Sequence, residues 1–465
     1  MNTSYPQDDT LSLLKAGNLI GSKHLKLNCG LTTFPAEIFT LADTLEILDL
    51  SGNQLNSLPD DLNRLHQLRI IFCSSNQFTH VPEVLGQFEH LSMIGFKANQ
   101  IKDFSDSAIP AKTLRWLILT DNALTKLPNA IGDCQQMQKL MLAGNQLTEL
   151  PENLANCRQL ELLRISANQL ESLPEWLFDL PKLSWLAYAG NPFSDHIESK
   201  LISQQHIPLI DWQDLTIQQQ LGEGASGFIY RAQWQVSHLP SSVTETHVTE
   251  TNDVAVKMFK ADLTSDGLPR CEMHATALAG EHAHLAGFKG ILTQHPNGAA
   301  GMVMPLMDEK SIVLANPPSF ESCSRDVYLD GTTFTLNAVV HIAHSVASAV
   351  AHLHAQGITH GDLYAHNILT TQLNNRKVLL SDLGAASFLP QDNPRQSGQL
   401  QRIESHAYAC LLKELLDRCE VSNATDEATV QTLWQLQSEC AQAINAKRPL
   451  FAAIETRLAL IKNQL

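Results

Sequence analysis

Asp362 and Asn367 stand five residues apart, and a second carboxylate follows at Asp382 within Ser381-Asp382-Leu383-Gly384. Two carboxylates and an amide in that order can orient a hydroxyl and hold magnesium beside a nucleotide. Upstream, Gly222, Gly224 and Gly227 form a G-x-G-x-x-G run. Alone the run is weak evidence, because a dinucleotide fold uses it too and then needs a helix behind it. Here Phe228, Tyr230 and Trp234 follow, in β-leaning sequence, which predicts a glycine-rich hairpin over phosphates.

The elements that must position these groups follow from the pattern. Val254-Ala255-Val256-Lys257 reads as an apolar strand ending in a phosphate-binding lysine. Glu272, in the helical stretch around Cys271-Glu272-Met273, can pair with it, and Glu281 is the rival acid. Gly301 to Met307 reads as a buried strand entering a loop, and it looks like a hinge that carries adenine. Met304 would stand at the back of the pocket, Pro305 keeps its carbonyl and Met307 supplies an N–H. Residues 237–252 read as a polar, Ser/Thr-rich loop.

The 465 residues are enough for two to three domains, and 44% are hydrophobic, so the class is globular. The net charge of −16 excludes the basic face that nucleic-acid binding needs. Nine scattered cysteines without a C-x-x-C pair predict reduced thiols and a cytoplasmic location. The N-terminal stretch lacks a basic segment followed by an apolar run, so no signal peptide is expected. Phe334 to Ala355 is long and apolar, but six histidines and serines interrupt it, and a buried helix is expected rather than a membrane span. The histidines here lack an H-E-x-x-H arrangement, so no zinc site is expected, and His360 is read as a brace for its own loop.

The first half is periodic. Asparagines fall at 53, 76, 99, 122, 145, 168 and 191, always 23 apart. Around each runs a pattern such as Leu45-x-x-Leu48-x-Leu50-x-x-Asn53-x-Leu55-x-x-Leu58-Pro59. One such unit cannot bury its leucines, but a stack can, with the Asn amide satisfying turn backbone in neighbouring coils. The unit from Ser92 to Leu114 is irregular, with Phe104 and Ser105 in place of Leu-Pro. Ile47, Ile70, Phe72, Met93, Trp116, Ile118, Met141, Leu162 and Trp185 fall between the core leucines and predict an apolar concave face. A large exposed apolar patch marks an interface, so Phe72, Trp116, Met141 and Trp185 are expected to capture a protein, or the chain's own second half.

Residues 20–200 thus resemble the leucine-rich repeat family, and residues 215–460 resemble the protein kinase fold. The assembly is similar to bacterial leucine-rich-repeat protein kinases. The expected fold is multidomain α/β and α+β: a leucine-rich-repeat solenoid followed by a bilobal kinase-like fold. The expected bounds are an N-terminal cap over 1–24, a solenoid with its C-terminal cap over 25–207, and a kinase-like domain over 211–465. Within the last, the small lobe would run to about 307 and the large lobe from about 308.

The resemblance implies an ATP-dependent, Ser/Thr-directed protein kinase that uses Mg2+. Asp362 would be the catalytic base, with Lys257 and Glu272 as the catalytic ion pair. Gly222, Gly224, Gly227, Ile229, Ala255, Lys257, Met304, Pro305 and Met307 would bind ATP. Asn367 and Asp382 would hold the metal. Two rival readings are a pseudokinase scaffold and a kinase-like small-molecule phosphotransferase, because His-Gly-Asp occurs in the latter too.

Departures from the family shape the expectation. Gly361 stands where most protein kinases place an Arg that pairs with a loop phosphate, so activity independent of loop phosphorylation is expected. Tyr364 stands where Ser/Thr kinases place a Lys, so reduced turnover or altered substrate geometry is expected. No Ala-Pro-Glu motif follows Asp382, and some 20 residues are expected before a helix at Ser405 to Leu416. Arg448 resembles the late kinase arginine, with Glu404 its candidate partner.

Overall fold

The computed structural model describes residues 7–224, 226–238, 248–371 and 377–465. The chain divides into two compact units, Met1–Leu183 and Ser184–Leu465. The division falls between residues 183 and 184, ahead of the last repeat.

After helix α1 (Gln7–Lys15), the first unit runs through seven short strands: β1 (His24–Lys26), β2 (Ile47–Asp49), β3 (Ile70–Phe72), β4 (Met93–Gly95), β5 (Trp116–Ile118), β6 (Lys139–Met141) and β7 (Leu162–Arg164). They pair in parallel with a register of one repeat, as in Ile47↔Ile70 and Lys139↔Leu162. The leucines at 48, 50, 55, 117, 140, 147 and 163 are all but fully buried. Each such side chain contributes about 1.5–3 kcal/mol on removal from water.

The asparagines hold the coils. Asn145 donates to Leu119 O and Leu142 O, both at 2.9 Å, and accepts from Leu124 N at 3.0 Å. Asn53, Asn76 and Asn168 repeat the arrangement, each bonding a carbonyl 26 residues back. The prolines after the last Leu do more than stop a strand. Pro82, Pro128, Pro151 and Pro174 each open a 3-10 turn. In the irregular unit Ser105 takes that place. The concave face is less exposed than expected: Ile70, Met93 and Leu162 are buried, while Ile47, Phe72, Trp116, Ile118 and Met141 are half-buried.

The second unit opens with strand β8 (Trp185–Ala187) and helix α2 (Pro192–Ile202). A six-stranded sheet follows, built from β9 (Leu209–Asp211), β10 (Leu215–Glu223), β11 (Gly227–His238), β12 (Val248–Phe259), β13 (Gly290–Thr293) and β14 (Gly301–Pro305). The spatial order is β10-β11-β12-β14-β13-β9. The strands β11 and β12 extend into the loop expected over 237–252, and residues 239–247 lie outside the described residues.

Helix α3 (Pro269–Ala279) lies between β12 and β13. Pro269 opens it, and Gly280 at φ +62° ends it. Four longer helices complete the unit: α4 (Leu336–Ala355), α5 (Pro394–Leu416), α6 (Ala424–Cys440) and α7 (Phe451–Lys462). Helix α4 is long and apolar enough to cross a membrane by length and composition, yet two thirds of its apolar stretch is buried in the protein. Helix α5 starts earlier than its apolar pattern suggests, with Asn393 accepting from Gln396 N at 3.1 Å and Pro394 opening the first turn. Only residues 383–393 therefore separate Asp382 from a helix. All nine cysteines are free thiols.

Candidate active site

Strand alternation places the lysine. Val254, Val256 and Met258 enter the small-lobe core with Ile210, Leu215 and Val303. Ala255 and Lys257 then fall on the other face, which borders a cleft of about 630 Å³. Lys257 Nζ makes an ion pair with Glu272 on α3, not with Glu281 beyond the helix end. Both residues are buried. Burial works against the Lys257 charge, but Asp382 and Glu272 outweigh it and hold the ammonium above its ordinary value. Burial pushes the Glu272 carboxyl up to about 7, with Lys257 opposing and Asp382 adding.

The same cleft is lined by Gly222, Ile229, Ala255, Met304, Pro305, Met307, Asn367 and Asp382. Gly224, Gly227 and Asp362 are not among its walls. Gly224 N donates to Gly227 O at 2.9 Å across the hairpin end. The three glycines differ in why they are small. A Cβ on Gly227 would lie 2.4 Å from Met258 O, so the fold requires glycine there. At Gly222 and Gly224 a Cβ would meet nothing within 4 Å. That open space above the cleft leaves backbone accessible to a ligand.

Asp362 stands beside the cleft. Asn367 Nδ2 donates to Asp362 O and to Asp362 Oδ2, both at 2.9 Å. His360 is fully buried and ties this loop to the next motif. Its Nδ1 accepts from Asp362 N at 3.2 Å, which puts the ring proton on Nε2, donated to Ser381 O at 3.0 Å. Asp382 itself has φ +61° and accepts from Gly384 N at 3.1 Å. Few non-glycine residues hold that conformation, and functional sites are where such strain concentrates.

Gly361 is dictated by its backbone. Its φ is +74°, and a Cβ would lie 2.2 Å from Ala385 O. Its N–H donates to Glu404 Oε1 at 2.6 Å, and Glu404 Oε2 takes His354 Nε2 at 2.6 Å. Glu404 is thus not the partner of Arg448, whose guanidinium donates to the carbonyls of Gln442 and Arg402.

Trp185 meets only the second of its two expectations: at 1% exposed it is closed to a separate protein and packs on the chain's own second half. Its Nε1 donates to Leu363 O at 3.0 Å, and its ring stacks on Tyr364 at 4.2 Å and 7°. Tyr364 accordingly packs beneath an indole and is not one of the cleft walls.

Several contributors escaped the sequence reading. Asp326 accepts from His366 Nδ1 at 2.6 Å and His366 N at 3.2 Å, anchoring the loop from 40 residues upstream. Burial works against a charge on His366, but Asp326 outweighs it, and the ring's affinity for a proton is raised. No spacing rule connects residues 326 and 366. Among the described residues no group of three or more His, Cys, Asp or Glu could hold a metal. A magnesium ion does not need one, since it takes one or two protein oxygens and fills the rest from water and phosphate. The amide of Asn367 and the carboxylate of Asp382 on one cleft wall fit that chemistry.

Comparison with known proteins agrees with this geometry. Residues 215–427 match the protein tyrosine and serine/threonine kinase family. Residues 135–193 and 44–65 match leucine-rich repeats. The probable serine/threonine-protein kinase gdt2 of Dictyostelium discoideum is 22% identical over 220 residues, 47% of this chain and 11% of the relative. Human activin receptor type-1B is 26% identical over 180 residues, 37% of this chain and 30% of the relative. Fibroblast growth factor receptor 1 of Pleurodeles waltl is 27% identical over 139 residues, 29% of this chain and 16% of the relative. The chain thus spans between 11% and 30% of the length of these relatives. Cleft, motifs and matches converge on one architecture: leucine-rich repeats followed by a protein kinase domain.

Proposed function

We propose that the chain is an ATP-dependent protein kinase, Ser/Thr-directed and atypical, whose repeats recognise a protein. The observation that carries this is the single cleft holding the Lys257–Glu272 pair, Asn367 and Asp382, with Asp362 bonded to that Asn367. Lys257 supplies positive charge to the nucleotide phosphates, held in place by Glu272. The Pro305 carbonyl and Met307 N–H fix the base, with Met304 behind it. The hairpin at Gly222 and Gly224 covers the phosphates where a side chain would intrude. Asp362 orients the substrate hydroxyl and takes its proton as the γ-phosphoryl group transfers. Bound Mg2+, held by Asn367 and Asp382, would neutralise phosphate charge.

The atypical character rests on Gly361 and Tyr364. Arginine at 361 would collide with Ala385 O, so the loop geometry excludes the usual cation for an activation phosphate. Activity is therefore independent of loop phosphorylation in this reading. The half-buried Phe72, Trp116 and Met141 form the partner face. A cytoplasmic location and a likeness to bacterial repeat kinases belong to the same reading.

The test is incubation of the purified chain with Mg-ATP and a protein acceptor, with phosphate mapped by mass spectrometry. Transfer is expected on Ser or Thr and falls about 10²–10⁴-fold in Asp362→Asn, with nucleotide still bound. Nucleotide binding without transfer favours the scaffold, and transfer only to a small hydroxyl compound favours the phosphotransferase.

A further inference from the structure

Glu198 lies on α2 and is 2% exposed. A carboxylate so far from water is costly unless matched. Its partners all come from α3. Its Oε1 is 2.6 Å from His274 Nδ1, and its Oε2 accepts from Arg270 Nη1 and from the Cys271 thiol, each at 3.4 Å. Arg270 Nη2 also donates to Asp195 Oδ1 on α2 at 2.8 Å. Burial, with Glu198 adding to it, raises the Cys271 thiol well above its ordinary value, so it remains a donor.

Helical geometry makes this arrangement informative. Arg270 and His274 share one face of α3, and Glu272 projects from the opposite one. The helix is therefore held on two sides, by Lys257 through Glu272 and by α2 through Glu198. The chain just ahead of α2 also grips the catalytic loop. Trp185 bonds and stacks there, and Tyr188 donates from its N–H to the Ser387 hydroxyl and from its phenol to the Phe388 carbonyl, just past Asp382. Residues 184–202 thus touch both elements whose registration sets the cleft.

We propose that Glu198 is a positioning residue for phosphoryl transfer: from the helix after the last repeat it clamps α3 through Arg270 and His274, keeping Glu272 on Lys257 without a phosphorylated loop. The inference rests on the kinase reading above. It assigns to this chain's own α2 the task of fixing the helix that carries the glutamate.

The test uses the full chain with Glu198→Gln, which keeps the shape but loses the charge, and Arg270→Gln from the α3 side. Amide exchange over residues 269–279 and the KM and kcat for ATP are measured. Glu198→Gln is expected to raise exchange in α3 and lower kcat/KM for ATP about 5- to 100-fold. Glu198→Asp restores part of it. In a Glu272→Gln background the kinetic effect of Glu198→Gln disappears, while the faster exchange persists. A kinetic loss of equal size in both backgrounds, or unchanged α3 exchange, overturns the proposal. Should Glu198→Gln not fold, Arg270→Gln and His274→Gln at the more exposed partners read the same coupling. Should the unmodified chain transfer no phosphate, the kinase reading fails, and the exchange arm still decides the clamp.

Discussion

In the first unit Asn53, Asn76, Asn99, Asn122, Asn145 and Asn168 do the same job in successive coils, each tying its own turn to a carbonyl 26 residues earlier. In the second unit Asp326, His360, Glu198 and Glu404 each make a contact set with no copy among the described residues. The first unit gains stability by repetition, so its energetics are a sum over neighbouring coils. The second gains a defined geometry from contacts with no second copy, so the loss of one residue is local in space but severe in chemistry. Redundancy and precision are therefore divided between the two regions.

The sharpest way to break the comparison is at a contact that exists once. Glu272 titrates near 7 because burial and Asp382 disfavour its charge. A carboxyl raised in this way is neutral below that value and charged above it. The ion pair with Lys257 is then lost as pH falls through about 7, and kcat/KM for ATP should fall with it. Glu272→Gln should lower kcat/KM about 100-fold at pH 8 and flatten this acid limb. A limb that survives in the variant would assign the titration elsewhere.

A smaller effect is expected in the ladder. Asn145→Ala orphans the N–H of Leu124 inside the solenoid and removes one of two donors from the carbonyls of Leu119 and Leu142, which keep Asn122 and Asn168. The cost should be about 1–3 kcal/mol in chemical denaturation, with exchange rising first in the adjoining coils. A loss spread evenly through both units would contradict the nearest-neighbour picture.

The smallest effect sharpens the periodic side. The residue before each ladder Asn has positive φ: glycine at 52, 144 and 190, but Ser75, Ala98, Asp121 and Ala167 at the other four. A left-handed alanine is strained by about 1–2 kcal/mol. Ala167→Gly should therefore stabilise the chain by up to about 1 kcal/mol, the remainder being offset by glycine's entropy in the unfolded chain. An unchanged denaturation midpoint would show that the neighbouring coils already absorb the strain.

The same contrast explains what the sequence revealed. The 23-residue period predicts strands, buried leucines and the Asn ladder, because every repeat restates the rule. The motif residues around Lys257, Asp362 and Asp382 were legible because their chemistry is set by short spacings. The contacts that fix them were not. Trp185 sits at a concave position by period, yet residues 363 and 364 cover it. Glu198 reads as the polar side of an amphipathic helix until α3 arrives with a cation, an imidazole and a thiol. Glu404 looked free for Arg448 but is taken by Gly361 and His354. The strained positions before the ladder asparagines were hidden because four of the seven are not glycine. Pairings between distant segments leave no periodic or local mark, and tertiary packing decides them.

The indole of Trp185 also gives the molecule an optical gauge. It lies face to face with the phenol of Tyr364, two residues from Asp362, and is shielded from water. Its fluorescence depends on that stacking distance. With the other tryptophans replaced by phenylalanine, emission from this one ring would follow the catalytic loop in real time as nucleotide enters and product leaves, without any added label.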